Sequence, residues 1–174
     1  RAANISIPLT TGIYIHLGIA YALQESDTQK IREYIISIHN DYEQEAFKYG
    51  LGGVEGDNTS DVILEQKHLI GSLIWAFVRV FKDKLLDKYD IVSIEHEEDL
   101  VLGCSCGLES GPRKMHEERD CNGICLLAKP DMILRDKISK ELVNIDLKTT
   151  KGFTYAWRKS FENSLQLCTQ IAGA

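Results

Sequence analysis

The spacing of apolar residues changes about halfway along the chain. Between residues 11 and 40, apolar side chains recur at three- and four-residue intervals, which is the period of an α-helix. They are Ile13, Leu17, Ala20, Tyr21, Ile31, Tyr34, Ile35 and Ile38. After about residue 88, short apolar runs bounded by turn-forming residues replace this pattern, as is typical of strands. The sequence therefore predicts a helical first half followed by a small sheet.

Turn and capping residues place the boundaries in the first half. We expect one or two helices within residues 11–40 and a flexible loop over the glycine-rich segment 50–60. Ser60 or Asp61 can cap a long amphipathic helix that reaches about Leu86.

In the second half we expect a strand or hairpin over residues 91–102, a strand over 124–134 and another over 142–147. The polar stretch 103–122 is expected to be a long hairpin tip or inserted loop. Helical spacing returns from about residue 153. These elements predict one α/β domain over residues 1–174, with a helical part (1–88), a sheet (89–150) and a closing helix (151–174), as a fragment of a longer chain.

Charge and hydropathy exclude some classes of protein. A net charge of -6 argues against a protein that coats nucleic acid through bulk positive charge. Local patches remain candidates for nucleic-acid contact, with a solvated helix face as the alternative: Arg79, Lys82, Lys84 and Lys88, or Lys151, Arg158 and Lys159. The apolar stretches are far shorter than the roughly 20 residues that span a bilayer. We expect a soluble, intracellular protein without a membrane partner.

Four of the five cysteines lie in or just after the stretch expected to join the first two strands. They are Cys104, Cys106, Cys121 and Cys125. Four thiolates brought together would suit Zn²⁺ or an iron–sulfur cluster. Free thiols in a reducing compartment are the alternative, and Cys125 also fits a buried strand position.

Two expected strands each carry one carboxylate in apolar surroundings. Pro130-Asp131 lies within one strand, and Asp146-Leu147-Lys148 ends the next. Burying an unpaired carboxylate is costly, so two of them with a lysine two positions on suggest a shared cation. Strand alternation places residues 146 and 148 on one face. The alternative is an ion pair at a strand end beside an aspartate in a turn.

The expected ligands are all oxygens. Asp131, Asp146 and the main-chain carbonyl of Leu147 suit one or two Mg²⁺ or Mn²⁺ ions. Such an ion activates water and offsets the charge that develops at a scissile phosphate. Lys148 would orient or deprotonate the water, or neutralise the transition state.

These residues resemble the PD-(D/E)XK nucleases, and among them the RecB-like branch with its phage-type exonucleases. The resemblance covers residues 12 to 170 in the expected order and implies a restriction-endonuclease-like core, with a central mixed β-sheet flanked by helices. Gly12-x-x-x-His16 resembles the motif that supplies a histidine metal ligand, with His68 as a rival. Glu95 resembles the glutamate of the first core strand, with His96, Glu97 and Glu98 as rivals. Gln166 resembles the family's glutamine, although Gln170 stands where a tyrosine is usual.

The resemblance implies a metal-dependent deoxyribonuclease that acts as an exonuclease or on single strands. Its expected partners are DNA and a helicase or recombination protein, in recombination, repair or replication. One alternative is a cap-snatching type of RNA endonuclease. Others are a catalytically silent nucleic-acid-binding module and a structural domain in which the charged residues form ion pairs.

Overall fold

The computed structural model describes residues 7–49, 59–95, 98–102, 111–112, 124–128 and 130–148. The chain divides into two compact units, residues 1–87 and residues 88–174. The division falls where the apolar spacing changes. The predicted closing helix and its Gln166 lie outside the described residues, as do Cys104, Cys106 and Cys121. Among the described residues, no helix has the length and apolar content needed to cross a membrane.

The first unit is helical. Its elements are α1 (Ile7–Gln24), α2 (Thr28–Tyr49), α3 (Thr59–Phe77), a π-helical segment (Val78–Lys82) and the start of α4 (Asp83–Lys88). Residues 11–40 thus form parts of two helices, as the periodicity allows. The single helix predicted to reach Leu86 is interrupted, because a π-helical turn follows α3.

The core of this unit lies between α1, α2 and α3 and consists largely of isoleucine. Its buried apolar residues are Ile15, Ile19, Ala22, Leu23, Ile31, Ile35, Ile38, Tyr42, Ala46, Ile63, Ile70 and Ile74. Gly18 lets α1 approach α3 closely, since a Cβ there would stand 2.7 Å from Cγ1 of Ile74. Interiors packed to this density resist even one added methyl group.

One buried charge closes the C-terminal end of α1. Lys82 is only 8% exposed, and its Nζ donates a 2.6 Å hydrogen bond to the carbonyl oxygen of Glu25, just after the helix ends. The last carbonyls of a helix lack partners within it and carry its partial negative charge. The π-helical segment therefore delivers a cation to a helix end.

The second unit contains two antiparallel sheets of three strands. Its strands are β1 (Tyr89–Ile94), β2 (Glu98–Leu102), β3 (Gly111–Pro112), β4 (Ile124–Ala128), β5 (Met132–Asp136) and β6 (Leu142–Ile145). One sheet has the order β1-β5-β6 and the other β3-β2-β4. The predicted strand over 124–134 is in fact two strands in different sheets. Pro130, which has no N–H to give to a sheet, lies at the break.

The mixture of helices and strands agrees with the predicted α/β class. The central mixed sheet is not found, because every pairing among the strands described is antiparallel. A restriction-endonuclease-like core therefore remains an expectation from the resemblance. In the β1-β5-β6 sheet the middle strand carries the core, since Met132, Ile133 and Leu134 are all buried.

Candidate metal centre

The register of the β1-β5-β6 sheet brings three predicted site residues into one row. Met132 of β5 pairs with Ile94 of β1 on one side and with Ile145 of β6 on the other. One step further along these antiparallel strands lie residues 95, 131 and 146. The end of the sheet therefore collects Glu95, Asp131 and Asp146 from its three strands.

Glu95 is held beside Asp131 by the backbone. Its N–H donates a 2.9 Å hydrogen bond to the Asp131 carbonyl, and carboxylate oxygens of the two residues lie within 4.8 Å of each other. Glu95 also has a φ of 52°, in the left-handed region. For a residue with a Cβ this costs about 1–2 kcal/mol, and such strain is concentrated at functional sites.

Asp131 links β5 to the segment that follows β6. Its Oδ2 accepts a 2.6 Å hydrogen bond from the main-chain N–H of Leu147. This bond fixes one carboxylate oxygen. The sequence predicted a role for the carbonyl of Leu147, whereas the observed contact is made by its N–H, and the carbonyl's ligand role stays a prediction.

Asp146 is an enclosed carboxylate at the β6 end of the row. Its side chain is 6% exposed, and its partner is Lys148, which is 35% exposed. The Lys148 Nζ lies 3.0 Å from Oδ1 in a hydrogen bond and 2.8 Å from Oδ2. Oδ2 is shielded from solvent and makes no well-directed hydrogen bond within the described part of the chain. The ion pair that the sequence allowed as the alternative is thus observed, and a cation bound by Asp146 stays a prediction.

Two further polar side chains stand on the same face of the sheet. Ser93 and Asn144 each lie two residues before a carboxylate of the row, and both pair with Ile133. Side chains two apart share a face. The Ser93 hydroxyl and the Asn144 amide are buried and have no hydrogen-bond partner in the described ranges. Sequence reasoning missed both residues, although their i, i+2 spacing from Glu95 and Asp146 was a usable signal.

This donor set fits a hard divalent cation. Three carboxylates at one sheet end carry more negative charge than the ammonium of Lys148 alone offsets, so a bound cation would reduce their mutual repulsion. An enclosed oxygen on Asp146 and a second row of polar groups add oxygen donors, which Mg²⁺ and Mn²⁺ prefer. The carboxylate oxygens of Glu95 and Asp131, which lie within 4.8 Å of each other, are close enough to share such a cation.

The other predicted site residues belong to other helices and strands. His16 lies in α1 and is partly buried, and its rival His68 is exposed on α3. The backbone of Cys125 lies in β4, opposite Val101 of β2. Gln166 and the other three clustered cysteines lie outside the described residues, so a structural metal site at the cysteines stays a prediction.

The first predicted basic patch is not uniform. Lys82 is buried against the Glu25 carbonyl, so it does not contact solvent as a patch residue would. Lys88 lies 4.0 Å from Asp136 and 4.9 Å from the centre of the Tyr89 ring. Arg79 and Lys84 are exposed. The residues Lys151, Arg158 and Lys159 of the second patch lie beyond the part described.

Comparison of the chain with family models, with curated proteins and with solved structures gave no match. The functional argument therefore stands on the residues and their geometry.

Proposed function

We propose that the chain is a metal-dependent nuclease that hydrolyses phosphodiester bonds at the end of the β1-β5-β6 sheet. The observation that carries this proposal is the row of Glu95, Asp131 and Asp146, with Lys148 against the last of them. A purely structural role would explain one Asp–Lys pair. It would not explain why a strained glutamate and a third carboxylate are held at the same place.

In this proposal Asp131 and Asp146 hold one or two Mg²⁺ or Mn²⁺ ions, and Glu95 contributes a further carboxylate. His16 is proposed as an additional ligand on the strength of its G-x-x-x-H motif, and the Leu147 carbonyl as another. When bound, such a cation activates water for attack and offsets charge at the scissile phosphate.

The protein's own groups orient the reaction. The N–H of Leu147 holds Oδ2 of Asp131 in place and so orients that carboxylate at the end of the sheet. The ammonium group of Lys148 lies at the same end of the sheet, beside Asp146. We propose that its ammonium positions the attacking water or stabilises the negative charge that develops on the phosphate.

DNA is the proposed substrate, cut from an end or as a single strand. The support is the resemblance to RecB-like nucleases. A helicase or recombination protein as a partner has the same basis.

Cleavage of end-labelled DNA tests the proposal. Linear and circular, single-stranded and duplex DNA are incubated with the folded chain in Mn²⁺ or in EDTA, beside Asp146→Asn and Lys148→Ala. We expect Mn²⁺-dependent loss of linear DNA by the wild type and none by either variant. Sparing of circles would identify an exonuclease.

Parallel reactions with RNA separate the alternatives. If the wild type cuts RNA and leaves every DNA intact, the deoxyribonuclease proposal is wrong. If it cuts neither nucleic acid in Mn²⁺, the nuclease proposal as a whole is wrong. Equal cleavage by Asp146→Asn and wild type would also contradict it, because the row would then not be the site.

A further inference from the structure

A second surface with binding chemistry lies within the helical unit, between α2 and α3. It is an open groove of about 710 Å³, which is within the range of about 300–1,000 Å³ typical of ligand sites. Residues at helical spacing on α2 and α3 face each other across it. Its lining includes Arg32, His39, His68, Trp75, Ala76 and Arg79.

The groove is basic in a chain of net charge -6. Arg32 and Arg79 line it, and no aspartate or glutamate does. Neither arginine forms an ion pair with a carboxylate of the described ranges, and both are exposed. Guanidinium groups that have no carboxylate partner are well suited to bind two phosphate oxygens at once. The charge of the groove therefore complements a phosphate-bearing ligand.

Trp75 gives the groove an aromatic surface. The guanidinium carbon of Arg32 lies 5.6 Å from the centre of the Trp75 ring, in a cation–π arrangement. An indole flanked by arginine is the combination that proteins use to stack a nucleobase beside its phosphate. Arg79, in the π-helical segment that follows α3, lines the same groove as Trp75.

His39 forms the floor of the groove against Gly71. A Cβ at Gly71 would meet Nε2 of His39 at 2.8 Å, so the glycine allows the imidazole to lie directly on α3. Nε2 is enclosed and has no hydrogen-bond partner among the residues that the structure describes. His68 is exposed at the rim. The groove thus combines a fixed floor with two cations and one aromatic ring.

We propose that the groove binds single-stranded nucleic acid, with Arg32 and Arg79 on phosphates and Trp75 stacked on a base. An acidic peptide would bind the two arginines, but its carboxylates would not stack on the Trp75 ring as a base does. The open shape lets a polymer pass along the groove. The site stands on residues of the helical unit alone, so it does not depend on the proposed metal centre or on cleavage.

Binding is measured in EDTA, so that loss of the proposed nuclease activity cannot affect the result. The Trp157→Phe background leaves Trp75 as the one tryptophan of the chain. A short labelled oligothymidylate is titrated, and its anisotropy and the Trp75 fluorescence are followed. We expect saturable binding with quenching of Trp75. Arg32→Gln and Arg79→Gln should each lower the slope of log K against log salt by about 0.7, the value for one phosphate contact in a single strand.

Matched variants make the test specific. Lys30→Gln removes an exposed charge of the helical unit outside the groove and should bind as the parent does. Trp75→Ala should weaken binding at least about fivefold, whereas Trp75→Phe should retain most of it. Ala76→Glu places a carboxylate on an exposed groove position without removing a core side chain, and should abolish binding.

Three results would overturn the proposal. The first is an unchanged Trp75 signal on saturation with the oligonucleotide. The second is an equal loss of affinity in Lys30→Gln and the two arginine variants. The third is equal binding of polyphosphate, which has the charge but lacks bases.

Discussion

The helical unit and the β1-β5-β6 sheet treat buried charge in opposite ways. In the helical unit, the one buried lysine described is bonded to the carbonyl of Glu25 and completes a helix end. At the sheet end, by contrast, Glu95, Asp131 and Asp146 bring like charges together, and one of them has a strained backbone. The first arrangement stabilises the fold, whereas the like charges and backbone strain of the second should lower the free energy of unfolding. Strain and like charge concentrated at one site suggest that a ligand binds there and restores stability.

The largest expected effect is on catalysis. Asp131→Asn should lower the rate of DNA cleavage by at least about 10²–10³-fold, which is the range for loss of one preorganised electrostatic group. Its melting temperature should change little or rise, because a like charge has been removed. The control is Asp90→Asn, since Asp90 is exposed at the other end of β1 and lies 3.9 Å from Lys137. Equal rates in the two variants would show that position in the sheet is irrelevant.

In the helical unit a comparable substitution should cost stability alone. Gly18→Ala gains about 1 kcal/mol of helix propensity, but its Cβ meets Ile74 and lies 3.3 Å from Cδ1 of Ile38. We expect a net loss of about 1–3 kcal/mol in urea unfolding. Adding Ile74→Val, which removes the terminal methyl, should recover part of the loss. A stabilised Gly18→Ala protein would mean that α1 and α3 are not packed so closely.

Strain at the sheet end can be separated from strain in a turn. Glu95 and Lys140 both have positive φ, at 52° and 65°. Replacement of either by glycine should stabilise the fold by up to about 1 kcal/mol, because glycine adopts this conformation freely. Glu95→Gly should also lose DNA cleavage, whereas Lys140→Gly, in the turn between β5 and β6, should retain it. Full activity in Glu95→Gly would remove Glu95 from the site.

The smallest expected effect is the pH response of the helical unit. Burial of His39, together with the positive charges of Lys67 and His68, lowers the pKa of its imidazole below the ordinary value of 6.5. Lys67 is itself paired with Glu43 at 2.6 Å. The unfolded chain therefore binds more protons, and stability should fall as the pH drops through about 6.5.

Urea unfolding at about pH 7.5 and about pH 5.5 measures this response. His39→Gln should show a smaller loss between these two values than the wild type. If the loss is the same in both proteins, other groups control the pH response of the helical unit.

Periodicity was sufficient for the elements but not for their pairing. Apolar spacing at residues 31, 35 and 38 identified α2, because a helix buries one face locally, whereas Ile13 and Leu17 of the α1 pattern are exposed. The strand expected over 124–134 was wrong as a single element, since an apolar run does not reveal that its two halves join different sheets. The π-helical segment also left no periodic signal, because a single wide turn shifts the spacing by only one residue.

The site shows a similar limit. The proximity of Asp146 and Lys148 could be predicted because the two residues are only two positions apart in the sequence. Asn144 and Ser93 were missed because their importance depends on burial and on pairing with Ile133, which are long-range properties. The Trp75 and Arg32 pairing across two helices was missed for the same reason. Local chemistry is legible in sequence, whereas partners from distant elements require the fold.

Thermal melting in the presence of Mn²⁺ tests the central claim most directly, because a cation that binds only the folded chain must raise its stability. At a Mn²⁺ concentration 100 times the dissociation constant, the wild type and Asp90→Asn should gain about 2.7 kcal/mol. Asp131→Asn and Asp146→Asn should gain far less. An equal gain in all four proteins, or none in the wild type, would contradict a cation site at the end of the β1-β5-β6 sheet.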